Sequence, residues 1–213
     1  MSVFLLDNSL SFPHPSLACE DGLLAVGGDL SPKRLILAYS NGIFPWFEQG
    51  EEIFWWAPNP RYIVEIETYK PSKNLLKLIK NDKFTVKFNV DFERIIENCA
   101  KISRKDQVGT WIGNDMIKAY SKLHKLGFVM CIGVYYYNEL VGGLYGVELK
   151  QVFCGESMFH TMSDAGNVAF YYLIEYCKQK DIKIIDAQME TENMRKYGGH
   201  YISFDEYQKY LFS

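Results

Sequence analysis

The sequence has few of the features that place a chain quickly. Its five cysteines, Cys19, Cys99, Cys131, Cys154 and Cys177, are odd in number, widely spaced and contain no C-x-x-C pair. That excludes an ordinary disulfide framework and a zinc ribbon, and it leaves reduced, mostly buried thiols as the expectation. The four histidines, His14, His124, His160 and His200, show no metal-ligand spacing, so no metal is expected. No apolar run approaches the roughly 18 residues of a membrane span. The opening "MSVFLLDNSLSF" lacks a basic start, and Asp7 ends its apolar run after four residues, too short for a signal-peptide core. A cytoplasmic protein without membrane contact is therefore expected.

Nucleotide signatures are also missing. Neither a Walker A loop nor a G-x-G-x-x-G turn follows a strand, and no G-x-S-x-G elbow occurs. The glycines of "VGGLYG" lie inside a hairpin pattern, where they mark a bulge or a close backbone approach. Net positive charge is lacking too, at −3 overall, but the charge is segregated. Residues 60 to 125 carry 14 Lys/Arg against 8 Asp/Glu, a balance of +6, and the rest carries 9 against 18, a balance of −9. Such a basic segment can contact phosphates whatever the total, although solvated lysine-rich helix faces would look the same.

What is present is a globular chain of 213 residues, 48% hydrophobic and 15% aromatic, which can bury a sizeable core. Residues 1 to 60 are rich in turns and hold one clear helix, with Ser31 as cap, Pro32 in its first turn and Gly42 as stop. Trp46, Trp55 and Trp56 stand beside prolines and form either a small core or a stacking surface. Helices are expected at about 71–80, 90–100 and 114–126, the last capped by Asn114 and ended by Gly127. "FVMCIGVYYYNELVGGLYGVELKQVFCGE" reads as two hairpins turning near Asn138-Glu139 and Leu149-Lys150. A helix from Ser163 to about Lys180 puts Phe170, Leu173, Ile174 and Cys177 on one face. A strand over 182–188 follows, then a turn at Gly198-Gly199. The whole is an α+β pattern with a mixed sheet.

That last strand, "IKIIDAQME", carries Asp186 in an apolar run, two residues from Gln188. Period two puts both side chains on one face. The strand follows a crossover helix, so it is expected to lie parallel to a neighbour with both faces buried. An idle carboxylate there would cost several kcal/mol, so it must be solvated, hydrogen-bonded or part of a site. Glu156 in "VFCGESMF" stands at a strand-to-helix junction. With Asp186 and Gln188 it would form an acidic cleft suited to an amine.

The blocks "FPHPSLACEDGLLAVGGDLSPKRLILAYSNGIFPW", "FWWAPNPR", "TWIGNDMIKAYSKLHKLG", "LVGGLYGVELKQVFCGESMF" and "IIDAQ" resemble, in order, the signature blocks of the bacterial leucyl/phenylalanyl-tRNA–protein transferases. The resemblance implies an enzyme that moves Leu or Phe, and also Met, from aminoacyl-tRNA to the α-amine of proteins starting with Arg or Lys. It also implies no cofactor, and a role in marking proteins for degradation in the N-degron pathway. The implied fold is a small N-terminal domain, residues 1–62, and a GNAT-like acyltransferase domain, residues 63–213. By the same resemblance Trp46, Trp111 and Tyr120 bind the 3′-terminal adenosine. Phe153, Met158, Phe170, Leu173, Cys177 and Ile185 line the Leu/Phe pocket. Glu156 contacts the donor amino group, Gln188 holds the acceptor amine, and Asp186 hydrogen-bonds the Gln188 side chain to orient it. The sequence departs from the family pattern at Gly133, His160-Thr161, Asn193 and "KYGG". An acyl-CoA-dependent N-acyltransferase would share the fold, but its Q/R-x-x-G-x-G/A loop is replaced by "GESMFHTMSDAG". A non-catalytic RNA-binding module would have no use for an Asp-Gln pair on a buried strand.

Overall fold

The structure, a computed structural model, describes residues 3–102 and 112–212. The N-terminal segment supplies strands β1 (Phe4–Leu6), β2 (Leu23–Gly27), β3 (Phe44–Pro45) and β4 (Phe54–Trp56), with helix α1 (Pro32–Ser40) between β2 and β3. They form a four-stranded sheet in the order β1-β2-β4-β3. Helix α1 starts as its sequence dictates, with the Ser31 hydroxyl accepting from the Arg34 amide at 3.4 Å. Trp55 settles the core-or-surface question for itself: it is fully buried, and its indole N–H donates to the Gly27 carbonyl at 2.9 Å.

The rest of the chain builds β5 (Arg61–Glu65), α2 (Lys73–Lys80), β6 (Thr85–Phe88), α3 (Phe92–Lys101), α4 (Asn114–Lys125), β7 (Val129–Tyr136), β8 (Glu139–Glu148) and β9 (Val152–His160). It ends with α5 (Ala165–Gln179), β10 (Ile184–Gln188), α6 (Glu192–Lys196), β11 (His200–Ile202) and α7 (Phe204–Phe212). The large sheet has seven strands in the order β11-β5-β10-β9-β8-β7-β6. β6 to β9 run as an antiparallel meander, and the α5 crossover makes β10 parallel to β9, as the sequence predicts. β5 begins at Arg61, before the expected boundary at residue 63, and inserts antiparallel between β10 and β11.

Two details differ from expectation. Asn114 is the first residue of α4 and Gly113 is its cap, without a side-chain bond. The first hairpin turns one residue early, at Tyr137-Asn138, both with positive φ, which matches the twist of a tight hairpin. On one face of the large sheet α5 lays Phe170, Leu173, Ile174 and Cys177 over Val64, Ile132, Phe153 and Ile185. On the other face α1, α3, α4, α7 and the small sheet share one cluster that includes Leu24, Tyr39, Trp55, Ile95, Tyr120, Cys154, Ile184 and Tyr207. Each such large apolar side chain contributes roughly 1.5–3 kcal/mol by its burial.

Candidate active site

The site is made by two irregularities in adjacent strands. In β9, Tyr145 of β8 faces Ser157 and Gly146 faces Gly155, so Glu156 is an extra, bulged residue. In β10, Ile63 of β5 faces Asp186 and Tyr62 faces Gln188, so Ala187 is extra, and Gln188 takes a left-handed φ of 64°. β9 and β10 pair only through Ile184–Val152, Ile185–Phe153 and Asp186–Cys154. Beyond that point the two parallel strands separate, and a cavity of about 630 Å³ opens along them.

Polar groups gather where the strands part. Glu156 is buried; its Oε1 accepts from Gln188 Nε2 at 2.9 Å and its Oε2 from the Tyr120 hydroxyl at 3.0 Å. Since only the amide nitrogen can donate to the carboxylate, the Gln188 Oε1 is left as the free acceptor. The Tyr39 hydroxyl makes a very short contact with that of Tyr120, extending the chain inward. Burial pushes the Glu156 carboxyl up to about 7, and the nearby Asp186 adds to this, while the hydroxyls of Tyr39 and Tyr120 and the Gln188 amide pull it down. Burial first, and then the charge of Glu156, hold both phenols protonated well above their ordinary value.

Asp186 answers to a different partner from the one expected. Its carboxylate takes Arg61 in a two-pronged ion pair, Nε to Oδ1 at 2.8 Å and Nη2 to Oδ2 at 2.7 Å. The Tyr207 hydroxyl donates to Oδ2 at 2.8 Å, and the backbone N–H of Gln188 donates to Oδ1 at 2.8 Å. So Asp186 fixes the Gln188 backbone, and Glu156 orients the side-chain amide. The period-two expectation fails because the bulge at Ala187 intervenes. Asp186 is 0% exposed and does not line the cavity. The Arg61 guanidinium lies between the rings of Phe44 and Tyr207, 4.8 and 4.9 Å from their centroids. Burial works against its charge, but Asp186 outweighs this and holds it above the ordinary value. Sequence reading missed Arg61 and Tyr39, whose partners lie 125 and 81 residues away along the chain.

Of the residues expected in the pocket, Phe153, Met158, Phe170, Leu173 and Ile185 line the cavity, as do Glu156, Gln188 and Trp46. Cys177 does not: it is buried further along α5, in the core against the sheet. Trp46 is half-buried and packs edge-on against Trp56, at 5.5 Å between centroids. Tyr120 shows no face for stacking; it is fully buried beneath Glu156 and edge-on to Tyr145, because its hydroxyl is drawn to the carboxylate. Trp111 lies outside the described residues. Among the described residues no cluster of His, Cys, Asp or Glu has the make-up of a metal site, and no helix is long and apolar enough to cross a membrane.

A cavity whose wall sets apolar side chains beside an oriented amide and a buried carboxylate can receive an apolar group next to an amine. The family described as leucyl/phenylalanyl-tRNA protein transferase matches residues 63–212, and its N-terminal domain matches residues 28–59. The chain is 44% identical to the leucyl/phenylalanyl-tRNA–protein transferase of Flavobacterium psychrophilum, over 97% of this chain and 98% of that one. It is 47% identical to that of Sulfurimonas denitrificans, over 94% and 87%. The chain belongs to the leucyl/phenylalanyl-tRNA–protein transferase family and is a transferase. Likeness to solved structures is weaker: a GCN5-related N-acetyltransferase from Kribbella flavida aligns at a TM-score of 0.42 and 9% identity, over 84% of this chain and 63% of that chain. That likeness is too distant to bear on the site.

Proposed function

We propose that this chain transfers Leu, Phe or Met from aminoacyl-tRNA to the α-amine of proteins starting with Arg or Lys, tagging them for N-degron degradation. The observation that carries the reading is the 2.9 Å bond from Gln188 to Glu156 on the wall of a cavity otherwise rich in apolar side chains. Phe153, Leu173, Ile185, Phe170 and the adaptable Met158 receive the donor side chain. Trp46 offers a ring to the terminal adenosine, a contact worth roughly 1–3 kcal/mol that needs no sequence readout.

The donor ester is already activated, so the reaction needs orientation and charge stabilisation and no cofactor. The acceptor nitrogen bonds to the ester carbonyl carbon, and the bond from that carbon to the ribose oxygen breaks. One proton leaves the nitrogen and ends on the ribose hydroxyl. Gln188 Oε1 accepts a hydrogen bond from the amine and aims its lone pair; an amide is too weak a base to remove the proton. Glu156 contacts the donor amino group and holds the Gln188 amide. Asp186, sealed by Arg61 and Tyr207, is a positioning residue, so the proton passes between the substrates. Tyr120 supports Glu156.

The test is direct. Purified protein is incubated with tRNA carrying labelled leucine and a model protein beginning with Arg. Label is expected on the protein, with loss of the signal on prior RNase treatment. No transfer, or transfer insensitive to RNase, rejects the reading.

A further inference from the structure

A second, smaller cavity of about 260 Å³ lies behind the first, lined among others by Tyr69, Ser72, Leu75, Asn167 and Tyr197. The two share no lining residue, but they meet at one point. Phe170 lines the large cavity, Tyr197 lines the small one, and their rings are stacked 3.8 Å apart at an interplanar angle of 11°. The partition between the cavities is two rings thick there. Tyr69 meets both rings edge-on, with centroids 5.5 Å from Phe170 and 6.2 Å from Tyr197. The Tyr197 hydroxyl donates to Asn167 Oδ1 at 2.9 Å, which ties its far end to α5.

We infer that Tyr197 sets the depth of the donor pocket by holding the Phe170 ring as its back wall. The inference rests on the reading of the large cavity as the donor side-chain site. Tyr197 does not touch the cavity; it acts through Phe170 and is a positioning residue. Without its ring, Phe170 has empty space behind it, and the 260 Å³ beyond, where Leu75, Leu78 and the Tyr69 ring stand beside polar side chains such as Ser72 and Asn167, becomes part of one longer slot. A longer slot admits a bulkier side chain and grips leucine less well. Losing an aromatic stack and a methylene's worth of fit is expected to shift discrimination between donors by about threefold or more.

The experiment measures kcat/KM for tRNAs carrying Leu, Phe and Trp with an Arg-starting acceptor, in the wild type, Tyr197→Ala, Tyr197→Leu and Tyr197→Phe, with melting temperature recorded for each. Wild-type transfer from Leu-tRNA tests the underlying reading by itself. If that holds, Tyr197→Ala is expected to raise the Phe/Leu and Trp/Leu ratios by about threefold or more. Tyr197→Phe, which keeps the stack, is expected to leave the ratios at the wild-type values, whatever it does to the melting temperature. Tyr197→Leu keeps an apolar filler should the alanine variant fail to fold, and it is expected to shift the ratios the same way by less. Unchanged ratios in the alanine and leucine variants, or an equal shift in Tyr197→Phe, overturn the inference.

Discussion

Glu156 is held at a cost, and that cost has a sign. Its folded pKa of about 7 stands above the ordinary 4.5, so the folded protein binds the proton more tightly than the unfolded chain does. Stability from this group is therefore fully present below pH 4.5, declines as pH rises to 7, and is flat above. Glu156→Gln removes the charge and is expected to raise stability at pH 8 by up to about 3 kcal/mol, with little gain at pH 4.5. Transfer is expected to fall by orders of magnitude at pH 8, since a glutamine no longer binds the donor amine as a carboxylate or fixes the Gln188 amide the same way round, and the gap to the wild type is expected to narrow at pH 4.5, where the wild-type Glu156 is itself protonated. Denaturant melts at the two pH values, beside the transfer assay, check this; an active, equally stable variant contradicts it. In the wild type, activity is expected to rise through pH 7 as Glu156 ionises. Asp186 calls for a different test. Replacing it alone with Leu strands Arg61 as a buried charge and is expected to cost about 3–5 kcal/mol. Replacing Asp186 with Leu and Arg61 with Met together is expected to recover most of the stability but not the transfer, because the Gln188 backbone N–H has still lost its anchor. Full recovery of activity in the double variant would show that Asp186 serves stability only.

At the scale of elements, the site is a by-product of two bulges, and these were the part the sequence could not disclose. The meander β7–β8–β9, the α5 face with Phe170, Leu173 and Cys177, and the parallel strand holding Asp186 were all legible, because period two and period 3.6 leave their marks within a few residues. A bulge is a mismatch of register between strands, and neither Ala187 nor Glu156 announces one locally. Gly146 is the nearest thing to a sign, lying in the glycine-rich run assigned to a bulge or a close approach. A Cβ there would stand 2.3 Å from the Cys154 carbonyl oxygen and 2.6 Å from the Phe153 ring. Gly146→Ala is thus expected to cost about 1–3 kcal/mol by overpacking. It also pushes Phe153 into the donor cavity, so urea unfolding and the KM for Leu-tRNA are expected to worsen together. A neutral effect on both would mean that β8 and β9 can slide apart freely.

For the molecule as a whole, the two sheets are joined by packing. They share one apolar cluster, and α1 reaches α4 through the Tyr39–Tyr120 contact beneath Glu156. The site therefore draws on both: Trp46 and Phe44 come from the small sheet's side, and Glu156 and Gln188 from the large sheet. Unfolding is expected to follow one cooperative transition, with tryptophan fluorescence, to which Trp46, Trp55 and Trp56 in or beside the small sheet contribute three of four fluorophores, coinciding with far-UV circular dichroism. Two separated transitions would show that the N-terminal segment opens alone.

β5 gives the ion pair a timetable. It leaves the ribosome early, but both of its neighbours, β10 and β11, come from the last 30 residues of the chain. Arg61 waits 125 residues for Asp186, which is roughly 6–25 s of synthesis at ordinary elongation rates. For that interval an apolar strand with two bare edges and a lone guanidinium must be kept from other partners.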